Sequence, residues 1–283
     1  MSMNILKKFN AAIDYIENNL SGNIDEKEIY NITTYSYSVF ARMFSVLSGL
    51  PLGEYIRKRK LSKAAIEIKN KKSSVIDIYY KYGYSSPEAF AYAFKKFHGF
   101  NPIDVIRNND IEIKIFLPMR FTITINVSSD YRIKLKKIDK MNFIGVTKEI
   151  SPEDMKQDIW EAMLEQLKLY DSIFFNKEKL YGMFYIDKDD NKFRYTLGYL
   201  LEEAIEMYSD LTQIDVAANE YATIEIIGES TNGIHEAWKY LVGIFLPEES
   251  LEYSGDVDFE VFSLRNDRKY DIELWVPVKS TLA

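Results

Sequence analysis

Ser36-Tyr37-Ser38-Val39-Phe40-Ala41-Arg42-Met43-Phe44-Ser45-Val46-Leu47-Ser48-Gly49-Leu50-Pro51 and, fifty residues on, Ser86-Pro87-Glu88-Ala89-Phe90-Ala91-Tyr92-Ala93-Phe94-Lys95-Lys96-Phe97-His98-Gly99 spell the same local structure twice. Each opens on a serine whose hydroxyl can accept from the free amides of a helix start, and each closes on a glycine suited to the left-handed C-cap. Phe40, Met43, Phe44 and Leu47 form one inward stripe, and Phe90, Phe94 and Phe97 form the other. Pro87 adds a first-turn proline and Glu88 a first-turn acid. In front of each lies a shorter helix, about Asp25–Ile32 and Val75–Tyr79, joined by Thr33–Ser36 in the first case and by the tight turn Gly83-Tyr84-Ser85 in the second. Short helix, turn, capped helix, twice, is a double helix-turn-helix pattern.

Outward from these stretches, Leu6, Phe9, Ile13, Ile16 and Leu20 give an earlier helix, and a long helix over about Gly53–Asn70 joins the two units with Arg57-Lys58-Arg59-Lys60 in its middle. The charge balance follows this division. Residues 1–107 hold 16 Lys+Arg against 10 Asp+Glu, a net +6, whereas 108–283 hold 20 against 33, a net −13. The whole-chain value of −7 therefore conceals a basic half suited to phosphates. Zero Cys excludes disulfides and thiolate sites, and two His make a histidine metal centre or a serine triad a poor expectation; no metal or other cofactor is called for. Neither end carries a signal-like or membrane-spanning apolar run, which predicts a cytoplasmic protein with no membrane partner.

The run Tyr35-Ser36, Arg42-Met43-Phe44, Ser48-Gly49-Leu50-Pro51-Leu52-Gly53-Glu54-Tyr55-Ile56-Arg57-Lys58-Arg59-Lys60-Leu61, Gly83-Tyr84-Ser85-Ser86, Phe90, Ala93-Phe94-Lys95-Lys96 and Gly99-Phe100-Asn101-Pro102 resembles the DNA-binding domain of the AraC/XylS transcription regulators. That resemblance implies two recognition helices, Ser36–Leu47 and Ser86–Phe97, in successive major grooves of double-stranded DNA. It places Tyr37, Ser38, Ala41 and Arg42, and then Pro87, Glu88, Ala89 and Tyr92, towards bases. Arg42 has the chemistry to fork onto guanine, a contact worth about 1–3 kcal/mol of discrimination. Glu88 either accepts from a cytosine amino group or stabilises its own first turn. Lys58, Lys60, Lys95 and Lys96 are expected on phosphates, with a merely solvated face as the alternative. Thr34 stands where the family often has glycine, and Pro87 where it often has an amide. His98 is expected at the carbonyls closing its helix.

After Arg107 the period changes. A polar break at Asn108-Asn109-Asp110 precedes alternation at Phe121, Ile123 and Ile125, so 109–130 is expected to be a partly structured linker or strand between a 1–108 domain and a 131–283 domain. Strands are expected at Tyr131–Ile138, Phe143–Ile150, Tyr181–Ile186, Phe193–Tyr199, Tyr221–Gly228, Val257–Leu264 and Tyr270–Val278. Helices are expected after Ser151 and after Thr231 or Asn232. Asp187, Asp189 and Asn191 have calcium-loop spacing without its glycine or closing glutamate, so a polar turn is expected there. Trp160 to Tyr195 and Trp238 to Glu273 are both separations of 35, consistent with two copies of a strand-helix-hairpin unit. The fold class is thus a multidomain chain, all-α double helix-turn-helix followed by an α+β domain with a mainly antiparallel sheet.

Tyr181-Gly182, Phe193 with Tyr195 and Gly198, Tyr221-Ala222, Trp238 with Pro247, Asp258-Phe259-Glu260 and the ending Ile272-Glu273-Leu274-Trp275-Val276-Pro277-Val278 resemble the GyrI-like small-molecule-binding domains. The resemblance implies an effector pocket with an acid among aromatics, matched onto Glu273, with Trp275, Tyr195, Trp160 and Trp238 as walls. Alternation leaves open whether Glu273 and Trp275 line a pocket or a solvent-facing strand. A carboxylate beside rings suits an amphipathic cation. The expected function is a ligand-responsive DNA-binding regulator with RNA polymerase as a further partner. The alternatives are a GyrI-like hydrolase of electrophilic small molecules and an acidic interaction module.

Overall fold

The computed structural model describes residues 5–70, 74–108, 110–122, 131–150, 159–170, 178–187, 190, 192–201, 209–226, 231–264 and 270–280. Contacts cluster into two units, one of Leu6–Thr122 and the other built on residues from Ile123 onward. The helix start expected at Ser151 and the Asp189 and Asn191 pair lie outside the described residues.

The first unit is helical: α1 Ile5–Asn18, α2 Glu26–Thr33, α3 Tyr37–Ser48, α4 Leu52–Lys69, α5 Val75–Lys81, α6 Pro87–His98 and α7 Pro102–Arg107. The expected caps are present. Ser36 accepts from the Val39 amide and Ser86 from that of Ala89, and Gly49 and Gly99 close their helices at φ +69 and +97. Thr34 closes α2 at φ +66, a conformation that a β-branched residue enters at a cost; its hydroxyl accepts from Lys8. Behind the second helix-turn-helix, Leu61, Ala64, Ala65 and Ile68 of α4 pack with Ile78, Tyr82, Phe90, Phe94 and Val105. Against α1, the Glu17 carboxylate accepts from Tyr55 and twice from Arg59, at 2.8–2.9 Å.

The second unit orders its strands β1-β6-β9-β8-β3-β4-β2-β5, all antiparallel, with β7 beside β9. These are β1 Ile133–Ile138, β2 Met141–Glu149, β3 Lys179–Ile186, β4 Phe193–Leu200, β5 Thr212–Val216, β6 Asn219–Ile226, β7 Leu251–Tyr253, β8 Asp258–Leu264 and β9 Tyr270–Ser280. Helix α8 (Ile159–Lys168) packs mainly on β2 and β4. Helix α9 (Thr231–Tyr240), continued by a π-helical turn Leu241–Phe245, packs mainly on β6 and β9. The expected repeat is therefore visible as β2-α8-β3-β4 followed by β6-α9-β8-β9, with the two hairpins meeting at the β3–β8 pair.

The 35-residue equivalence does not hold in detail. Tyr195 faces the helices with Phe184, whereas Glu273 lies opposite Val261 and Glu225 on the other side of the sheet. Because strand side chains alternate, a slip of one residue exchanges faces, so the repeat mate of Tyr195 is a neighbour of Glu273 and not Glu273 itself. Both faces carry a core. The helix face buries Ile144, Val146, Met163, Leu167, Leu180, Tyr195, Leu197 and Phe262. The other face buries Phe143, Tyr181, Tyr221, Phe259 and Trp275.

Candidate DNA-reading surface and effector site

On α6 the carried-over positions form one accessible face. Pro87, Glu88, Tyr92, Lys95 and Lys96 are exposed and Ala89 is half-buried, with Tyr92 at 72% exposure. Glu88 has its carboxyl held below the usual range by the amide of its own helix start and by Ser86, as an acid closing its own first turn would. Lys95 and Lys96 point into solvent from the last turn, where phosphate contact needs them.

The equivalent face of α3 differs. Ser38 and Ala41 are 9% exposed and Arg42 is 5% exposed, and Tyr37 is half-buried. A guanidinium is kept out of water only where its charge is compensated, and Arg42 is engaged within the chain. The positions that the resemblance carries onto α3 are thus less accessible than those on α6.

The basic run on α4 is also redistributed by helical rotation. Lys58 pairs with Glu54 at 2.7 Å and stands over the Phe116 ring at 5.4 Å, while Lys60 donates to the Tyr82 carbonyl and is lowered in pKa by burial. Both ammonium groups are thus engaged by the chain's own acceptors. Arg59 is internal, paired with Glu17 at 2.8 Å, and the exposed member of the run is Arg57, a residue the sequence reading passed over. His98 is not at the end carbonyls of its own helix: it is buried, contacts the Leu61 carbonyl through Nε2 and accepts the Lys114 amide at Nδ1.

In the second unit the five expected ligand residues divide between two faces. Trp160, Tyr195 and Trp238 converge from different elements on one row of β8, the helix-facing side chains Asp258, Glu260 and Phe262. The Trp238 indole donates to Asp258 at 3.3 Å, the Tyr195 phenol donates to Glu260 at 2.9 Å, and Trp160 packs on Phe262 with ring centroids 5.4 Å apart. Tyr195 and Trp238 are buried, whereas Trp160 and Glu260 are half-buried and reachable. Burial, then the Glu260 charge and hydrogen bond, push the Tyr195 phenol well above its ordinary range, so it stays a donor. Gly182 makes this possible, because a Cβ there would stand 2.9 Å from Tyr195 Cζ and closer still to the hydroxyl. An open cleft of about 510 Å³ lies along α8, bounded by Trp160, Glu161, Ala162, Leu164 and Glu165.

Glu273 and Trp275 are on the opposite face. Trp275 is 3% exposed, donates to Glu273 at 2.8 Å, and has the Lys136 ammonium 4.0 Å from its ring centroid. The indole face is thus already occupied by the protein's own cation. The acids on the helix side are Asp258, which is buried, and Glu260, which is half-buried. The signal for Glu260 in the sequence was parity with Phe262 in β8, but two alternating strands each carried a glutamate and nothing local ranked them.

Among the described residues no helix is long and apolar enough to cross a membrane, and no cluster of His, Asp and Glu has metal-site form. Residues 134–278 match the family model described as integron-associated effector binding protein, and residues 30–108 match a helix-turn-helix domain model. The chain is 38% identical over 88 residues to the HTH-type transcriptional activator AarP of Providencia stuartii, a match covering 31% of this chain and 65% of that one. It is 37% identical over 95 residues to the probable transcription factor PqrA of Proteus vulgaris, covering 33% and 78%. Among solved structures, that of SAV2435 bound to tetraphenylphosphonium is similar at 14% identity with a TM-score of 0.44, covering 52% of this chain and 94% of that one.

Proposed function

We propose, from a chain that belongs to the AraC-type helix-turn-helix regulators and to the integron-associated effector-binding proteins, that ligand capture beside Glu260 controls promoter binding by the α3 and α6 units. The observation that carries the effector part is the β8 row: a half-buried carboxylate that accepts from a buried phenol, with a tryptophan at either end. A half-buried carboxylate set among aromatic rings suits a lipophilic cation, whose charge faces the acid while its apolar surface stacks on the rings. Trp160 and Glu260 are the contact residues in this reading, and Tyr195 and Trp238 hold them in place.

DNA contact is made through α6, whose Tyr92, Lys95 and Lys96 are accessible, with α3 as the second recognition helix. RNA polymerase is the partner through which such binding acts on transcription. Binding without turnover is favoured over hydrolysis because Tyr195, the group beside Glu260, is fully buried and locked as a donor to it.

The test uses the full chain with tetraphenylphosphonium as probe. The cation adds about 2.7 kcal/mol of stability to the C-terminal half at a hundred times its dissociation constant, read as a higher melting temperature. It also changes affinity for a duplex selected from a random library, and is recovered chemically unchanged. A melting temperature indifferent to the cation defeats the effector reading, and failure to select any duplex with salt-dependent binding defeats the DNA reading.

A further inference from the structure

Residues 111–121 form no helix or strand, lie outside both matched stretches, and are nevertheless tied along their length to the DNA-reading unit. The Ile111 carbonyl accepts from Lys69 at 3.0 Å, and Ile113 packs on the core of the second helix-turn-helix unit. The Lys114 amide donates to His98 Nδ1 at 3.2 Å and the Phe116 amide to Ser62 at 2.8 Å, while the Phe116 carbonyl accepts from Arg59. The Met119 amide donates to the Tyr55 hydroxyl at 3.3 Å. At the far end the Asn10 side-chain amide closes a two-bond ring with the Phe121 backbone, both bonds 2.9 Å, and the Phe121 ring sits edge-on to Phe9 and Phe44. Its partners on α4 run backwards from Lys69 to Tyr55 as the segment runs forwards. The segment is therefore a second connection, antiparallel to α4, from the core of the α5–α6 unit to the core of the α1–α3 unit.

We propose that this strap is a positioning element of the DNA-reading unit: with α4 it holds the two recognition helices at one separation and so sets which half-site spacing the protein accepts. A single helix resists stretching but leaves its flanking units free to swing, and a second tie bonded at both ends removes that freedom. Its amides at 114, 116, 119 and 121 go to side chains and not to backbone, so the tie depends on His98, Ser62, Tyr55 and Asn10. The inference rests on the DNA-binding reading for its consequence but not for the tie itself.

The experiment follows both in the full chain, comparing wild type with Asn10→Ala and Phe121→Ala. Hydrogen exchange without DNA reports the tie: the amides at 114, 116, 119 and 121 exchange slowly in wild type, and those at 119 and 121 lose protection at least ten-fold in the variants. Binding to the library-selected duplex, and to duplexes with one or two base pairs inserted between the half-sites, reports the consequence. Each inserted pair displaces a half-site by roughly 3.4 Å and turns it about the axis. Wild type loses ten-fold or more per insertion, and the variants lose less than three-fold. Unprotected amides in wild type, or a spacing profile unchanged in a variant whose tie has opened, overturn the proposal. Should Phe121→Ala fail to fold, Asn10→Ala decides, since it removes two hydrogen bonds and no core ring. If wild type selects no duplex, the DNA reading has failed while the exchange arm still decides whether the strap is tied.

Discussion

Gly182→Ala is expected to damage the C-terminal unit out of proportion to its one added methyl. Gly182 lies in the middle of β3, paired with Leu197 on one side and Glu260 on the other, so its backbone cannot retreat in either direction. The new Cβ would stand 2.9 Å from Tyr195 Cζ and nearer still to the hydroxyl, against an ordinary contact of about 3.5–4 Å. Tyr195 is 1% exposed with the Phe184 ring centroid 4.3 Å away, so the phenol has no vacant space to enter. Overpacking of this kind costs about 1–3 kcal/mol. Displacing the hydroxyl also breaks a charge-assisted hydrogen bond to Glu260, worth about 1.5–3 kcal/mol. The expected loss is about 2.5–6 kcal/mol. In a Tyr195→Phe background the hydroxyl clash is absent and the bond already gone, so the same substitution should cost at least about 1 kcal/mol less. Urea unfolding followed by tryptophan fluorescence is the assay, because Trp160, Trp238 and Trp275, the three tryptophans, all belong to the C-terminal half. A loss below about 1 kcal/mol, or equal losses in both backgrounds, would refute the placement of Tyr195 over Gly182 and with it the Glu260 floor.

In the helical unit, Glu17→Gln should cost about 3–5 kcal/mol by stranding the Arg59 guanidinium, whose side chain is 7% exposed, as read by far-UV circular dichroism during urea unfolding. Burial raises the Glu17 pKa, but the bonds from Arg59 and Tyr55 and the nearby Lys63 outweigh it and leave it lowered. Its stabilisation is thus complete above the unfolded value near 4.5 and lost as pH falls through the lower folded value, so wild type should weaken more steeply than Glu17→Gln in that acid window. Thr34→Gly should stabilise the same unit by about 0.5–1 kcal/mol, the left-handed penalty of about 1–2 kcal/mol less the added chain entropy of glycine; a lower melting temperature would contradict this. On DNA, Lys95→Ala and Lys96→Ala should each reduce the salt slope of log K by roughly 0.9, while Lys58→Ala and Lys60→Ala leave it unchanged; equal slopes for all four would restore the phosphate role to α4.

What was legible in the sequence was local. The serine starts at 36 and 86, the glycine ends at 49 and 99 and the phenylalanine stripes are decided within a dozen residues, and they define α3 and α6 without reference to the rest of the chain. The paired strand-helix-hairpin units were likewise visible in alternation and punctuation. What was not legible depended on partners far away. The strap has no period of its own, because its amides bond to side chains between 16 and 111 residues distant. The run Arg57–Lys60 reads only as a basic stretch within a helix, yet each step of 100° around α4 gives a different neighbour, Glu54 and Phe116 for Lys58, Glu17 for Arg59 and Tyr82 for Lys60. Which acid shares the face of the helices was not legible for a related reason. A strand buried on both sides has no polar face to betray its orientation, and the choice between Glu260 and Glu273 was made by where α8 and α9 pack.

The most direct measurement is calorimetric titration of a lipophilic aromatic cation into the full chain as wild type, Glu260→Gln and Glu273→Gln. Removing the charge of a buried ion-pair partner costs about 2–5 kcal/mol, and each 1.4 kcal/mol is ten-fold in affinity. Glu260→Gln should therefore weaken binding at least about ten-fold, while Glu273→Gln, across the sheet and beside Trp275 and Lys136, stays within about two-fold of wild type. Loss of binding in Glu273→Gln with Glu260→Gln unaffected would contradict the account.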